Sequence, residues 1–174
     1  MGKIKATLIS GKVSSNSREA EALCSTQNFG EKIGEKIFYS LTETLYLIDE
    51  KKLEVLDGQD KIIFREELLK RFQKLDKKFK TKYFVFKDLR KKGFLLKSAL
   101  KFGADFRVYE KGKQIKKDHS KWLLYAIDEN ETKKWQDFSA KNRIAHSTKK
   151  KLLIAIVDEE GDVSYYESSW IKPQ

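Results

Sequence analysis

The segment KFGADFRVYEKGKQIKKDHSKW, residues 101–122, holds the end of one predicted strand and the start of the next. Residues 105–109 and 122–127 are rich in aromatic and aliphatic side chains, which favours strands. The residues between them are polar, rich in lysine and include His119. Loops held by a rigid scaffold often carry function. We therefore predict a strand, a functional loop and a strand, with Tyr109 before the loop and His119 near its end.

The flanking sequence predicts a mixed β-sheet with helices around it in the C-terminal half. A helix over residues 83–92 is expected to end at Gly93, since glycine is favoured just after a helix. Asp137 is expected to cap a helix over roughly residues 138–149. Further strands are predicted over residues 94–100, 152–157 and 163–170. This half is therefore expected to be an α/β domain with a mixed β-sheet flanked by helices; the family resemblance described below implies that it is nuclease-like.

The N-terminal half predicts a separate α+β domain. Ser40 and Glu43 form a capping-box pattern before an apolar helix. Other predicted elements are strands at 5–10, about 12–13 and 53–56, and helices at 17–24 and 65–79. The charged stretch at 77–82 is the predicted boundary, which gives domains at 1–80 and 81–174.

The charge balance predicts a polyanionic partner. The chain has 174 residues, of which 36% are charged, and a formal net charge of +11. A strongly basic chain favours nucleic acid or an anionic surface. No apolar run approaches the roughly 20 residues of a spanning helix, so we expect no membrane partner. The single cysteine, Cys24, excludes an intrachain disulfide, and the first residues lack a signal-peptide hydrophobic region, so a cytoplasmic location is expected.

Three residue types in the second half point to cleavage of RNA without a metal. Tyr109, His119 and the lysines at 149–151 offer a phenol, an imidazole and ammonium groups. RNA carries a 2′-OH beside each phosphate, so in-line attack needs a base, an acid and a cation near the phosphoryl oxygens. Taken singly, each has a simpler explanation: a packed tyrosine at a strand end, a surface histidine, and lysines that complement a helix dipole.

Metal-dependent nuclease chemistry is the rival enzyme hypothesis. Asp105 and Asp118 are available carboxylates, but they do not form a carboxylate–lysine nuclease motif. No pair of histidines has a spacing typical of metal ligands. We therefore expect no metal and no cofactor.

A family resemblance follows from these segments. Residues 83–122, and within them KFGADFRVY and the later His-Ser, closely resemble the C-terminal domain of archaeal tRNA-splicing endonucleases of the short-subunit type. RIAHSTKKKLLIAIV at 143–157 and DEEGDVSYYESSW at 158–170 resemble the segments that follow in that family. Asn28-Phe29-Gly30 and residues 40–57 resemble its N-terminal half more loosely.

The resemblance implies an activity and a catalytic triad. By position, Tyr109 is the general base, His119 the general acid and Lys150 the cation that stabilises the developing phosphoryl charge. The implied activity is excision of introns from precursor tRNA at bulge-helix-bulge junctions. It leaves a 2′,3′-cyclic phosphate and a 5′-OH without a metal.

The resemblance also implies contacts with RNA and between subunits. Arg143 stands where the family holds a flipped bulge base, and Lys149 stands where it often has arginine, so both are expected to bind RNA. An acidic loop is expected to dock on a neighbouring subunit, and its carboxylates are Asp158, Glu159, Glu160 and Asp162. A homotetramer is expected, with a heterotetramer containing a separate structural subunit as the other possibility. A non-catalytic RNA-binding or structural subunit of such an assembly is the alternative function.

Overall fold

The computed structural model describes residues 2–113, 115 and 117–171. The chain is a mixed α/β protein, as predicted, and it forms two compact units that divide between Tyr83 and Phe84. Each unit has its own sheet, and the division falls inside a helix. Within the described ranges, no helix combines the length and apolar character needed to cross a membrane.

The first unit is built on a six-stranded sheet with the order β3-β4-β2-β1-β5-β6. The strands β1 and β5 are parallel and the other neighbours are antiparallel. Its strands are β1 (Ile4–Ile9), β2 (Lys12–Ser15), β3 (Glu31–Ile33), β4 (Lys36–Tyr39), β5 (Leu53–Leu56) and β6 (Ile62–Ile63). Its helices are α1 (Arg18–Gln27), α2 (Leu41–Asp49), α3 (Arg65–Leu75) and the start of α4 (Phe79–Lys91).

The predicted capping box is present at the start of α2 and ties that helix to a distant loop. The Ser40 side chain accepts a hydrogen bond from the Glu43 amide, and the Glu43 carboxylate accepts one from the Ser40 amide at 2.9 Å. The buried Glu43 carboxylate also accepts a hydrogen bond from the Gly30 amide at 3.0 Å. A Cβ at Gly30 would lie 2.4 Å from the Ile37 side chain, so only glycine fits this contact.

The second unit is built on a five-stranded sheet with the order β11-β10-β9-β8-β7. Only β9 and β10 are parallel, and the helix α5 connects them. The strands are β7 (Leu95–Ser98), β8 (Phe106–Tyr109), β9 (Trp122–Asp128), β10 (Lys151–Val157) and β11 (Val163–Ser168). A single 3₁₀ turn spans Leu100–Phe102, and α5 spans Trp135–Ser147.

One helix covers each face of this second sheet. On the α5 face, Leu123, Tyr125 and Leu152 form a buried cluster with Ala145 of α5. On the α4 face, Phe106 packs against Phe86, and the Tyr165 hydroxyl donates a 2.7 Å hydrogen bond to Asp88. Burial and this bond raise the pKa of Tyr165 above its usual value. From the cross-strand register, the side chains of each strand can therefore be assigned to the α4 face or to the α5 face of the sheet.

Several predicted boundaries were wrong, and the reasons are local. The helix predicted over 65–79 ends at Leu75, and α4 begins at Phe79, because the Asp76 side chain caps the new turn by accepting from the Lys78 amide. Asp137 does not cap α5, which starts two residues earlier and holds this acid in its first turn, where it complements the dipole. The short strands β3, β4 and β6 were missed.

Candidate active site

Three chain segments meet at one edge of the second sheet. The Lys121 amide, just before β9, donates a 3.0 Å hydrogen bond to the Val108 carbonyl of β8. The Lys151 amide of β10 donates a 3.0 Å hydrogen bond to the Lys121 carbonyl. Neighbouring strands lie about 4.8 Å apart. The end of β8 and the starts of β9 and β10 are therefore side by side, and with them Tyr109, His119 and Lys150.

Tyr109 is the last residue of β8 and lies opposite Leu95 of β7. It is buried, with 3% of its surface exposed. Side chains alternate along a strand, so Tyr109 shares a face with Arg107, whose register partner is Leu123 on the α5 face. The phenol therefore belongs to the α5 face of the sheet.

His119 lies in the connection that returns from β8 to β9. It is exposed, while Ser120 beside it is buried. Asp118 and Lys113 form an ion pair at 3.5 Å that joins the two ends of this connection. Lys116, one of the lysines of this segment, lies outside the described residues. The imidazole is thus next to a buried anchor residue and open to a ligand.

The end of α5 sets the backbone at Lys150 through a Schellman motif. The Lys149 amide donates to the His146 carbonyl at 3.0 Å, and the Lys150 amide donates to the Ala145 carbonyl at 2.8 Å. Lys149 adopts a φ of 55°, a left-handed conformation in which glycine is normally found. The motif turns the chain sharply, so that Lys150 enters directly into β10.

The side chain of Lys150 is in a cationic and partly buried setting. Its Nζ donates a 3.4 Å hydrogen bond to the Thr148 carbonyl. Burial lowers the pKa of Lys150, and the nearby positive charge of Arg107 lowers it further. Among the described residues, no carboxylate forms an ion pair with Lys150. An anion bound at this position would offset the repulsion between the positive charges of Lys150 and Arg107.

The neighbouring lysines of the run 149–151 have different environments. Lys151 forms an ion pair with Glu167, which also accepts a 2.7 Å hydrogen bond from the Trp122 indole. These contacts lower the pKa of Glu167 and hold Lys151 on the α4 face. Lys149 is exposed. Of the three lysines, Lys150 is therefore the one that the register directs to the face of Tyr109.

The last two turns of α5 carry the predicted RNA-binding arginine. Arg143 is exposed, and His146 one turn later packs edge-to-face on Trp170, with ring centroids 4.7 Å apart. Ser168 donates a 3.1 Å hydrogen bond to the Asn142 side chain. The segment after β11 therefore runs along α5 beside Arg143, a contact that the sequence did not indicate.

The acidic segment is a tight hairpin between β10 and β11. The Asp158 carboxylate accepts a 2.8 Å hydrogen bond from the Asp162 amide, and the Glu159 amide donates to Glu129 at 2.9 Å. Glu159, Glu160 and Asp162 are exposed, and Asp158 is partly exposed. Gly161 adopts a φ of +91° against the ring of Phe84. The four carboxylates are thus presented on a constrained turn.

Two further findings concern the chemistry of the described residues. Cys24 belongs to the first unit, and its thiol is 3.8 Å from the Gly30 carbonyl. In the described part of the chain, no three side chains of His, Cys, Asp or Glu form a group that could hold a metal ion.

Arg107 is the site residue that the sequence analysis missed. It lies two residues before Tyr109 on the same face, and its positive charge acts on Lys150. The alternation of side chains in a strand ending at a candidate base could have drawn attention to it. Its nearness to Lys150 could not be predicted, since it depends on the strand order.

Comparisons with known proteins agree with this architecture. Residues 79–165 match the family "tRNA intron endonuclease, catalytic C-terminal domain", and residues 4–69 match "tRNA intron endonuclease, N-terminal domain". The chain is 41% identical to the tRNA-splicing endonuclease of Pyrococcus abyssi over 159 residues, which cover 91% of each protein. It is 40% identical to that of Thermococcus kodakarensis over 159 residues, or 91% of this chain and 92% of the relative.

A more distant relative extends the same match. The chain is 36% identical to the tRNA-splicing endonuclease of Methanothermobacter thermautotrophicus over 154 residues, or 88% of this chain and 89% of the relative. The family matches lie on both units, and the catalytic domain match contains the edge where Tyr109, His119 and Lys150 meet. The chain is therefore an enzyme that belongs to the tRNA-splicing endonuclease family.

Proposed function

We propose that this enzyme cuts precursor tRNA at bulge-helix-bulge junctions and leaves a 2′,3′-cyclic phosphate and a 5′-OH. The observation that supports the proposal is that the backbone hydrogen bonds of Lys121 join the end of β8 and the starts of β9 and β10. Tyr109, His119 and Lys150 lie in or next to these segments, and among the described residues Lys150 has no carboxylate partner. These groups can move a proton and stabilise phosphoryl charge without a metal. Metal independence is part of the proposal.

Each side chain has a distinct role in the proposed reaction. Tyr109 acts as its phenolate, which takes the proton from the 2′-OH and becomes a phenol, while that 2′-oxygen attacks the adjacent phosphorus. His119 donates a proton to the 5′-oxygen as its bond to phosphorus breaks. Lys150 stabilises the negative charge that develops on the non-bridging oxygens, which is where a fixed cation contributes most. The exposure of His119 supports its part, because an acid must reach the leaving group.

Substrate recognition is proposed to use the end of α5. Arg143 is exposed there and offers a guanidinium plane on which an unpaired base can stack. Lys149 is exposed in the same turn and supplies charge for the phosphate backbone. This arrangement favours unpaired bulge nucleotides over a plain duplex, since a base inside a helix has no free face.

The acting species is proposed to be a homotetramer. The hairpin carrying Asp158, Glu159, Glu160 and Asp162 collects negative charge in a chain of net charge +11. Such a cluster repels RNA, and a basic pocket on another copy would accommodate it. The cytoplasm is the proposed location, because precursor tRNA is the proposed substrate.

The roles can be tested by single-turnover cleavage of a precursor with labelled ends. His119→Ala should lower the rate by about 10²-fold or more, the usual contribution of a positioned acid. Tyr109→Phe should lower it similarly, because it removes the proton acceptor and keeps the buried ring. His146→Ala is the matched control, as it removes the other histidine. Near wild-type rates for His119→Ala would overturn the assignment.

The reaction class is tested by the products and by chelation. Wild-type enzyme should give fragments whose 3′ ends resist phosphatase until the cyclic phosphate is opened by acid. Cleavage should continue in excess EDTA. Loss of activity in EDTA that Mg²⁺ restores would instead support the metal-dependent hypothesis. Binding without any cleavage would support the non-catalytic subunit.

A further inference from the structure

Two cations share the α5 face of the second sheet, and neither has an anionic partner among the residues that the structure describes. Arg107 lies opposite Leu123, which in turn lies opposite Leu152. Lys150 is two residues before Leu152, so the alternation directs it to the face of Arg107. The mutual effect of the two charges on the pKa of Lys150 agrees with this placement.

The guanidinium of Arg107 is held in place but not neutralised. Its Nε donates a 3.2 Å hydrogen bond to the Ser98 carbonyl at the end of β7. Arg107 is partly exposed, and the described residues include no carboxylate within ion-pair distance of it. One bond thus fixes the side chain, while the terminal N–H groups keep the geometry that matches two phosphate oxygens.

Elsewhere on this sheet, basic side chains near the same edge are neutralised. Lys121 pairs with Glu110 at 2.6 Å, and Lys151 pairs with Glu167. Both pairs lie with Trp122, over whose ring Lys121 is placed. These two lysines therefore have carboxylate partners, whereas Arg107 and Lys150 on the α5 face have none within the described ranges.

We propose that Arg107 and Lys150 form a phosphate-binding pair, in which Arg107 contacts a phosphoryl oxygen of the RNA at the cleavage edge. The inference rests on the proposed function for the identity of the ligand as an RNA phosphodiester. Like charges brought together without a carboxylate are unfavourable, and a phosphate between them makes the arrangement favourable. Arg107 thereby shares with Lys150 the stabilisation of the transition-state charge.

The experiment compares Arg107→Gln, Arg107→Lys and the control Lys101→Gln. Lys101 is exposed in the same unit, and its replacement removes the same charge. Binding of inorganic phosphate is measured by calorimetry at constant ionic strength, and single-turnover cleavage of a bulged precursor is measured in parallel. A lost hydrogen bond between charged groups corresponds to about tenfold or more.

We expect Arg107→Gln to weaken phosphate binding and slow cleavage by about tenfold or more each. Arg107→Lys should recover part of both losses, because lysine keeps the charge but not the two-pronged geometry of the guanidinium. Lys101→Gln should change neither by more than about threefold. A lysine has the charge but no Nε–H to bond Ser98. Recovery in Arg107→Lys would therefore show that the charge of Arg107 matters, and not only its hydrogen bond to Ser98.

Two results would overturn the inference. The first is wild-type phosphate binding and cleavage by Arg107→Gln. The second is an equal loss in Arg107→Lys, accompanied by a lower melting temperature, which would reduce Arg107 to a structural residue. Neither result affects the proposed function. If the wild-type protein binds phosphate through Arg107 but does not cleave RNA, the proposed function is overturned, whereas the phosphate-binding site itself is supported.

Discussion

Replacement of Gly161 by alanine should destabilise the C-terminal unit through two separable effects. Gly161 has a φ of +91°, and a Cβ there would lie 2.7, 2.9 and 3.0 Å from three carbons of the Phe84 ring. Optimal carbon contacts are about 3.5–4.0 Å, so the methyl group overlaps the ring. The acidic hairpin cannot retain its position against α4 with a side chain at this residue.

The magnitude follows from the two effects. A left-handed conformation costs a residue with a Cβ about 1–2 kcal/mol. Overpacking against a ring costs about 1–3 kcal/mol more. The variant should therefore lose about 2–5 kcal/mol of unfolding free energy. For a unit of about this size, each kcal/mol corresponds to a fall in melting temperature of about 4–8 °C.

Gly103 provides a matched control for the backbone effect alone. It has a φ of +64° at the end of the 3₁₀ turn, and no atom lies within 4 Å of the position that its Cβ would occupy. Gly103→Ala should therefore cost only about 1–2 kcal/mol. The difference between the two variants isolates the contact with Phe84.

Thermal and denaturant unfolding at one fixed protein concentration would measure both variants, because assembly affects apparent stability. A double-mutant cycle with Phe84→Leu tests the contact directly: the smaller side chain should offset part of the Gly161→Ala loss. If Gly161→Ala and Gly103→Ala cost the same within about 0.5 kcal/mol, the steric reasoning is refuted.

Three further predictions concern the candidate active site and the acidic hairpin. Lys149→Gly should stabilise the protein by about 1 kcal/mol, since glycine suits the φ of 55°. It should weaken RNA binding but keep the single-turnover rate at saturating enzyme within about threefold, whereas Lys150→Ala should lower that rate further. A larger rate loss for Lys149→Gly than for Lys150→Ala would mean that the catalytic lysine has been assigned wrongly. The pKa of Lys150, measured by ¹³C NMR of the folded protein, should lie below that of the exposed lysines, because burial disfavours its ammonium form. The same pKa should rise in Arg107→Gln, and an unchanged value would contradict the proximity of the two charges. Replacing the hairpin carboxylates by amides should dissociate a tetramer toward dimers. The residues to change are Asp158, Glu159, Glu160 and Asp162. An unchanged mass in light scattering would mean that the hairpin is only a solvated turn.

Much of the local structure could be predicted from neighbouring residues. The Ser40–Glu43 box and the glycine after α4 were predicted correctly, because a cap needs only residues within one turn. Gly93 adopts a φ of 89° and completes a Schellman motif at the end of that helix. The hairpin of β3 and β4 was missed because its strands have only three and four residues. All of β3 is exposed, and β4 buries only Ile37 and Tyr39, which is too short a pattern to detect as a strand.

In the candidate active site, too, what could be predicted depended on neighbours along the chain, and what could not be predicted depended on residues distant in sequence. The amino-acid sequence by itself determined the residue types, their order along the chain and the family, and so the candidates Tyr109, His119 and Lys150. Only the tertiary structure decided that Lys151 is neutralised by Glu167 while Lys150 faces Arg107. That outcome depends on which strands pair and in which register. A one-residue slip would send each side chain to the opposite face, and no local signal within β8 or β10 specifies their common neighbour β9.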